Sequence, residues 1–261
     1  MKPLRTCLVG LGVLAPAAAL LLWFLPARWA LPWIEPRLHG LQLQQVQGSL
    51  WDGRAGAVMA ADGRRLGQLQ WRLSRRSLLG QPQGQLRFEG AQLWFSGGVR
   101  RLADARLAID DLDARVQLAA LDAYTRSPLG QPRGELQLAI AHALLQGGWP
   151  VQLQAWARWP EAVVRTRDGN LALGALQGQA QATSGVIRVQ LQDDGHGPLQ
   201  AAGELQLSPL GWRLDATLRA RQTDPTLRRW LAALGPVAAD GSVHVRRGGG
   251  LAGSVPASPT N

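Results

Sequence analysis

The sequence predicts a mainly β protein: an N-terminal transmembrane helix, then an extended, curved antiparallel β-meander sheet with one or two short helices. Three observations predict this fold class. A long uncharged apolar run occupies the N-terminus, the rest of the chain alternates apolar and polar residues with a period of two, and Gly, Asp and Pro clusters interrupt the alternation. We expect three segments: an anchor with its N-terminal flank (1–33), a β-rich domain (34–247) and a disordered tail (248–261).

The N-terminal apolar run extends without a charge over 22 residues, from Thr6 to Ala27. About 20 apolar residues suffice to cross a bilayer core, so the run predicts a single transmembrane helix. Lys2 and Arg5 precede it, which favours a cytoplasmic N-terminus and a periplasmic main domain by the positive-inside rule. The single cysteine, Cys7, lies in this segment, so the β-rich domain has no thiol and no disulfide.

The far end of the run holds aromatic and proline residues in the pattern of a retained anchor. The tryptophans at 23, 29 and 33 lie where an interfacial aromatic belt is expected, and Pro26 and Pro32 are expected to end the helix. A cleaved signal peptide is the alternative, but bulky residues occupy 22–26, where a cleavage site needs small ones. The sequence therefore favours an inner-membrane, single-pass protein.

Clean alternation marks the strands of the domain, as in Val151–Trp156, Ile187–Gln192 and Trp212–Arg219. Every second residue is apolar, so each strand has one apolar and one polar face, as in antiparallel meanders. Turn-forming dipeptides separate the runs. They are Asp62-Gly63, Gly97-Gly98, Gly147-Gly148, Asp168-Gly169, Asp194-Gly195 and Asp240-Gly241.

A degenerate repeat supports the meander. The segment 79–88, LGQPQGQLRF, recurs at 129–138 as LGQPRGELQL, and 203–207 echoes its end. The shared Gly spacing before an alternating run indicates the start of a strand.

Two helices are predicted. The first covers Val116–Tyr124, where Leu118, Leu121 and Asp122 have helical spacing. The second covers 224–235, with Asp224 as N-cap, Pro at the first position and a closing Gly. The apolar residues of this second helix form a stripe, which is expected to pack on the sheet near the last strand. The stripe consists of Leu227, Trp230, Leu231 and Leu234.

The net charge of +10 would suit binding to nucleic acid or to an anionic surface. The distribution of the basic residues indicates whether such a binding surface exists. They occur only as short pairs, without the interleaved aromatics of a stacking platform. The sequence favours solvated strand edges and turns and predicts no nucleic-acid partner. The pairs are Arg64-Arg65, Arg75-Arg76, Arg100-Arg101, Arg228-Arg229 and Arg246-Arg247.

No catalytic, cofactor-binding or metal-binding residue is predicted, and the chain is interpreted as a non-enzyme without cofactors. The histidines at 39, 142, 196 and 244 are too dispersed for a triad or a metal cluster. The sole lysine is Lys2, which excludes a P-loop. Asp110-Asp111 and Asp193-Asp194 could be read as paired carboxylates, but neighbours on a strand point to opposite faces, and Asp193-Asp194-Gly195 is typical of a hairpin.

The most distinctive string is GSLWDG at 48–53, in which Ser49 lacks the second glycine of a nucleophile elbow. Its glycines bracket a bend in which Trp51 can bury its ring. With the anchor before it and four later segments in the same order, this string resembles protein N of the type II secretion system, also called general secretion pathway protein N. The later segments are 66–73 (LGQLQWRL), 148–150 (GWP), 230–235 (WLAALG) and 240–241 (DG).

The resemblance implies a non-enzymatic inner-membrane component that assists export of folded periplasmic proteins across the outer membrane, through contacts with other secretion components. An AsmA-like envelope module for lipid binding or transfer is the alternative, because a sheet with one apolar face resembles a lipid groove. The two differ in whether the apolar face is closed or left as an open groove that holds lipid.

Overall fold

The computed structural model describes residues 26–34, 38, 40–75, 77, 83–102, 104, 106–122 and 130–250. These residues form fourteen β-strands and two α-helices, which confirms the prediction of a mainly β chain. Among them, no helix is long and apolar enough to cross a bilayer. The predicted anchor lies outside them except for its last residues, as do Cys7 and His39.

The chain divides into two compact units, which meet in sequence between Ala91 and Gln92. Unit 1 contains α1 (Ala27–Ile34), β1 (Gln42–Gly48), β2 (Asp52–Met59), β3 (Arg65–Leu73) and β4 (Gln83–Gly90). Unit 2 contains β5 (Leu93–Arg101), β6 (Leu107–Gln117), a 3-10 turn (Leu118–Leu121), β7 (Gln131–Arg133), β8 (Glu135–Gln146), β9 (Trp149–Thr166), β10 (Gly169–Thr183), β11 (Val186–Asp193), β12 (Leu199–Ser208), β13 (Gly211–Ala220), α2 (Pro225–Leu234) and β14 (Ser242–Gly250).

Unit 1 is an antiparallel meander in the order β1-β2-β3-β4. Pro26 forms an isolated bridge with Ser49, and α1 begins at the next residue. Pro32 lies inside α1, so the prediction that it ends a helix is wrong. A proline in so short a helix removes a single backbone hydrogen bond, which leaves the rest of the helix intact.

Unit 2 is also an antiparallel meander, in the order β5-β6-β8-β9-β10-β11-β12-β13-β14. Each strand pairs with the next one along the chain, except that β7 pairs with the far end of β9. The alternating segments predicted at 151–156, 187–192 and 212–219 lie in β9, β11 and β13. The predicted meander topology is confirmed within each unit.

The predicted helix at 224–235 is confirmed as α2. Asp224 accepts hydrogen bonds from the backbone N–H groups of Thr226 (2.8 Å) and Leu227 (3.3 Å), which satisfies two of the free donors of the first turn. The stripe packs on the sheet beside β13 and β14, as predicted. Gly235 has an extended backbone (φ 173°) rather than the left-handed one expected of a closing glycine.

The predicted helix at Val116–Tyr124 is wrong in extent and type. Val116 and Gln117 belong to β6, where they pair with Leu136 and Glu135 of β8, and only a four-residue 3-10 turn follows. Strand pairing with β8 therefore overrides the weak helical spacing. Tyr124 lies outside the described residues.

Five of the six predicted turns connect successive elements. The glycine at the second position of each dipeptide has a positive φ, for example 80° at Gly63 and 88° at Gly195. The sixth is wrong, because Gly97-Gly98 lies inside β5 beside a register shift. A Cβ on Gly97 would lie 2.7 Å from the Cβ of Leu112 on the neighbouring strand. Gly97 therefore allows two strands to approach closely and does not form a turn.

The described parts of the repeat lead into β4 and β8, and the echo at 203–207 lies in β12. Strand β14 continues to Gly250, three residues into the segment predicted as a tail, because its last glycines pair with β13. The remaining tail, 251–261, lies outside the described residues.

Candidate interaction surfaces

The GSLWDG string of unit 1 forms the bend between β1 and β2. Ser49 N–H donates to the Asp52 carbonyl (2.8 Å), and Asp52 N–H donates to the Ser49 hydroxyl (3.1 Å), so Ser49 serves the turn. Trp51 is buried, and Gly53 leaves room for the Trp71 ring, whose N–H donates to the Leu50 carbonyl (3.1 Å). The string is a structural bend, as the sequence predicted.

In unit 2, the strand register aligns the apolar residues of nine strands into one face. A single cross-strand row shows this, because each of its members is directly paired with the next and none is polar. We call this side the apolar face. The row is Phe95, Ala114, Leu138, Ala157, Gly178, Leu191, Gly203, Ala216 and Val245.

Helix α2 covers one end of the apolar face and makes a core there. Leu227 and Leu231 of the helix are 0% and 2% exposed, and they pack among residues of β9, β10, β12 and β14. Partly buried residues, among them Trp159, Trp230 and Leu234, surround this cluster. The apolar face is therefore closed at this end.

Next to the covered end, the apolar face lines a groove with a cavity volume of about 370 Å³. Its walls are mainly apolar, and its floor includes the small residues Ala157, Gly178, Gly203 and Ala216. The indole N–H of Trp159 donates to the Arg133 carbonyl of β7 (2.9 Å), so this aromatic wall has a satisfied polar atom. Other wall residues are Leu176, Leu191, Leu214, Trp230 and Leu234.

The opposite face of the same sheet carries an exposed cluster of tryptophan and arginine. The Arg115 guanidinium lies 5.3 Å from the centre of the Trp94 ring, a cation–π distance. Arg158 lies two strands further along the same row, and Trp156 is 42% exposed beside it. These four side chains line a shallow cavity of about 360 Å³. We call this cluster the Trp–Arg patch.

Strand β14 is the last strand of unit 2 and has a partly free edge. A bridge between Val237 and Val243 covers its start. In the part of the chain that the structure describes, residues 244–250 pair with β13 on one side and with no strand on the other. An edge of this kind presents unpaired backbone groups to an added strand.

The carboxylates and histidines considered in the sequence hold strands together. Asp110 contacts His142 (2.7 Å) and Arg100 (3.2 Å), while Asp215 contacts His244 (2.8 Å). Asp111 has φ 49° and is paired with no residue of β5 or β8, so it is a bulge residue. His196 stays in its own turn, with N–H donating to Asp194 (3.0 Å).

Asp193 is the most enclosed carboxylate among these. Its side chain is 8% exposed, lies 2.6 Å from Arg221 and accepts hydrogen bonds from the N–H groups of Ala201 and Gly195, both 2.8 Å. Burial alone would raise the pKa of Asp193, but the N–H of Ala201 and the Arg221 guanidinium hold it below its usual range. Asp193 and Arg221 thus form a polar clamp between the ends of β11 and β13.

No group of three or more His, Cys, Asp or Glu residues positioned to hold a metal ion occurs in the described ranges. The basic pairs contact carboxylates and carbonyls, as Arg64 does with Asp62 (2.6 Å) and Arg246 with Asp215 (3.1 Å). The predicted position at a turn or strand edge fits Arg64 and the pair Arg246-Arg247 of β14, but it is wrong for Arg228-Arg229, which lie in α2. The Trp–Arg patch was missed as a unit, because its members are distant in sequence and meet only through the register of β5, β6, β8 and β9.

Comparison with known proteins identifies one family over most of the chain. The family model described as "Type II secretion system (T2SS), protein N" matches residues 39–246. A protein from Vibrio cholerae serotype O1 (strain ATCC 39315 / El Tor Inaba N16961), named "Type II secretion system protein N", is 30% identical over 191 residues, which are 70% of this chain and 73% of that protein. No solved structure gives a significant match. These matches give the AsmA-like alternative no support.

Proposed function

This chain belongs to the type II secretion system protein N family, and on that premise we propose that it works as a non-enzymatic binding component of the system at the inner membrane. It assists the export of folded periplasmic proteins across the outer membrane by contacting other components of the system. The uncharged run at 6–27 after Lys2 and Arg5 supports a single-pass anchor with the β units on the periplasmic side.

The Trp–Arg patch carries the proposal of protein contacts. Tryptophan and arginine are the residue types that contribute most of the binding energy at protein interfaces. Around the patch, this face of the sheet is polar, with exposed Gln179 and Gln190 on the next strands. Trp156 is 42% exposed on this face, so a large part of its ring is available to a pocket of a partner.

The free edge of β14 offers a second means of contact. Residues 244–250 can accept an extended segment of a partner by backbone hydrogen bonds. Strand addition at β14 would leave the Trp–Arg patch accessible, because the side chains of the patch lie on β5, β6 and β9.

Deletion of the gene tests the secretion role. We expect reduced exoprotein activity in the culture medium and accumulation of the same activity in the periplasm, restored by the wild-type gene. Unchanged secretion, together with no secretion component recovered by cross-linking and affinity purification of the chain, would contradict the proposal.

The double variant Trp156→Ala, Arg158→Ala tests the patch. Truncation of hot-spot residues costs about 2 kcal/mol or more each, so we expect loss of the cross-linked components and of the restored secretion. The matched control is Gln179→Ala, Gln181→Ala, at exposed positions on the same face of β10. Equal secretion and equal cross-linking by the two double variants would exclude the patch as the contact surface.

A further inference from the structure

The apolar groove of unit 2 lies beside a basic pocket, and the two share Leu234 at the end of α2. The basic pocket, with a volume of about 580 Å³, is lined by His244, Arg246 and Arg247 together with the residues that leave the helix. Register places Arg247 on the side of β14 that faces the groove, beside Leu214 of the groove wall, and places His244 and Arg246 on the other side. The groove and Arg247 thus form a path from an apolar floor to a cation. We propose that this path binds a single-chain anionic amphiphile, a long-chain carboxylate, with its chain in the groove and its head group at Arg247.

Arg247 is the cation that distinguishes this pocket. Register places it opposite Leu214, on the apolar face rather than the polar one. Its Nη2 donates to the Leu234 carbonyl (3.3 Å), which directs the guanidinium towards the shared rim. Within the described ranges Arg247 has no carboxylate within 4 Å, whereas Arg246 is paired with Asp215. A guanidinium has five N–H donors, so Arg247 retains donors for a ligand carboxylate.

The groove has the size and chemistry for one chain. Its volume of about 370 Å³ lies near the lower end of small-molecule sites, which suits one acyl chain better than two. Gly178, Gly203 and Ala216 line the floor, and their small side chains leave its space unfilled. An apolar groove that ends at an unpaired cation is complementary to an amphiphile of opposite charge.

The test uses the full chain in its native membranes and a palmitic acid that carries a photoreactive diazirine. After irradiation and purification, peptide mass spectrometry locates the labelled residues. We expect labels in β10–β13 and α2. Diazirine-labelled hexadecanol, which has the same chain and no charge, is expected to label these peptides about tenfold less, the scale of a charge-assisted hydrogen bond.

Two variants separate the parts of the site. Arg247→Gln is expected to reduce labelling by the acid about tenfold and to leave the alcohol unchanged; Arg213→Gln, an exposed arginine on the opposite face of β13, is its control. Ala216→Phe fills the groove and is expected to reduce labelling by both probes; Gln190→Phe, exposed on the opposite face of β11, is its control. Circular dichroism spectra verify that each variant is folded.

Equal labelling by the acid and the alcohol, or by Arg247→Gln and the wild type, would overturn the proposal. Absence of label from β10–β13 would also overturn it, because the acid would then not enter the groove. Stronger labelling by a photoreactive two-chain phosphatidylglycerol would exclude a single-chain ligand. The proposal is independent of the secretion role, because labelling is read from membranes without an exoprotein assay.

Discussion

The end of the apolar face beside α2 and the centre of that face differ in what covers them. At the α2 end, the sheet gains a second layer, and Leu227 and Val243 are completely buried. In the centre of the same face, Leu112, Ile140 and Leu205 are only half-buried although they alternate as regularly. Alternation therefore produces an apolar surface, but a core forms only where another element packs on that surface. The difference separates residues that stabilise the fold from residues available to a ligand.

The largest effect is expected from Leu231→Ala, which removes a side chain that is 2% exposed between helix and sheet. It should lower the free energy of unfolding by about 3 kcal/mol, because it leaves a cavity as well as losing burial. Leu205→Ala, the same change in the centre of the face, should cost about 1 kcal/mol. Urea unfolding of both variants measures the contrast, and equal costs would show that the central face is also covered.

The second-largest loss of stability is expected at the polar clamp of Asp193 and Arg221. Asp193→Ala removes the carboxylate beside Arg221 and leaves the N–H of Ala201 without its acceptor in a nearly buried position, so we expect a loss of about 2 kcal/mol. Asp110→Ala, which breaks contacts of an exposed carboxylate, should cost less than about 1 kcal/mol. Thermal unfolding of the two variants distinguishes an enclosed clamp from a surface pair.

A smaller effect is expected from Asp224→Ala at the N-cap of α2. Loss of the hydrogen bonds to Thr226 and Leu227 should cost about 1 kcal/mol. Asp224→Asn retains an acceptor and should restore most of the loss. Because α2 makes the only described second layer over this end, fraying of its first turn should also speed hydrogen exchange at Val243. Unchanged exchange there would mean that the cap acts on the helix alone.

The pH dependence of stability should be the smallest effect. The pKa of Asp193 is lowered in the folded chain, so its contribution is complete above the unfolded value of about 3.9 and is lost as pH falls through the folded value. The stability difference between wild type and Asp193→Asn should therefore be constant above about pH 5 and shrink below about pH 4. Urea unfolding across this range measures it, and a difference that grows in acid would reverse the assignment.

Local signals in the sequence predicted much of the fold. The alternation at 151–156 and 187–192 specifies strands because period two is a property of a single strand, and the Asp224 cap and the α2 stripe specify a helix in the same local way. The errors arose where a partner strand decides. The close approach of Leu112 requires a glycine at position 97, and pairing with Leu136 places Val116 in a strand.

The surfaces could be predicted only in part. The sequence indicates that one face is apolar, but not which strands α2 covers, since this depends on the long-range packing of Leu227 and Leu231. The position of Arg247 on the apolar face depends on the pairing of β14 with β13, which extends past the predicted domain end. Register across strands that are distant in sequence has no local signature.

The consecutive strand order of unit 2 has an evolutionary consequence. Where each strand pairs with its chain neighbours, a duplicated hairpin can be inserted without rearranging the other pairings, much as repeat proteins lengthen. The similar segments that lead into β4 and β8 are consistent with growth of this kind. An added hairpin would therefore lengthen the apolar face and leave the end that α2 covers unchanged.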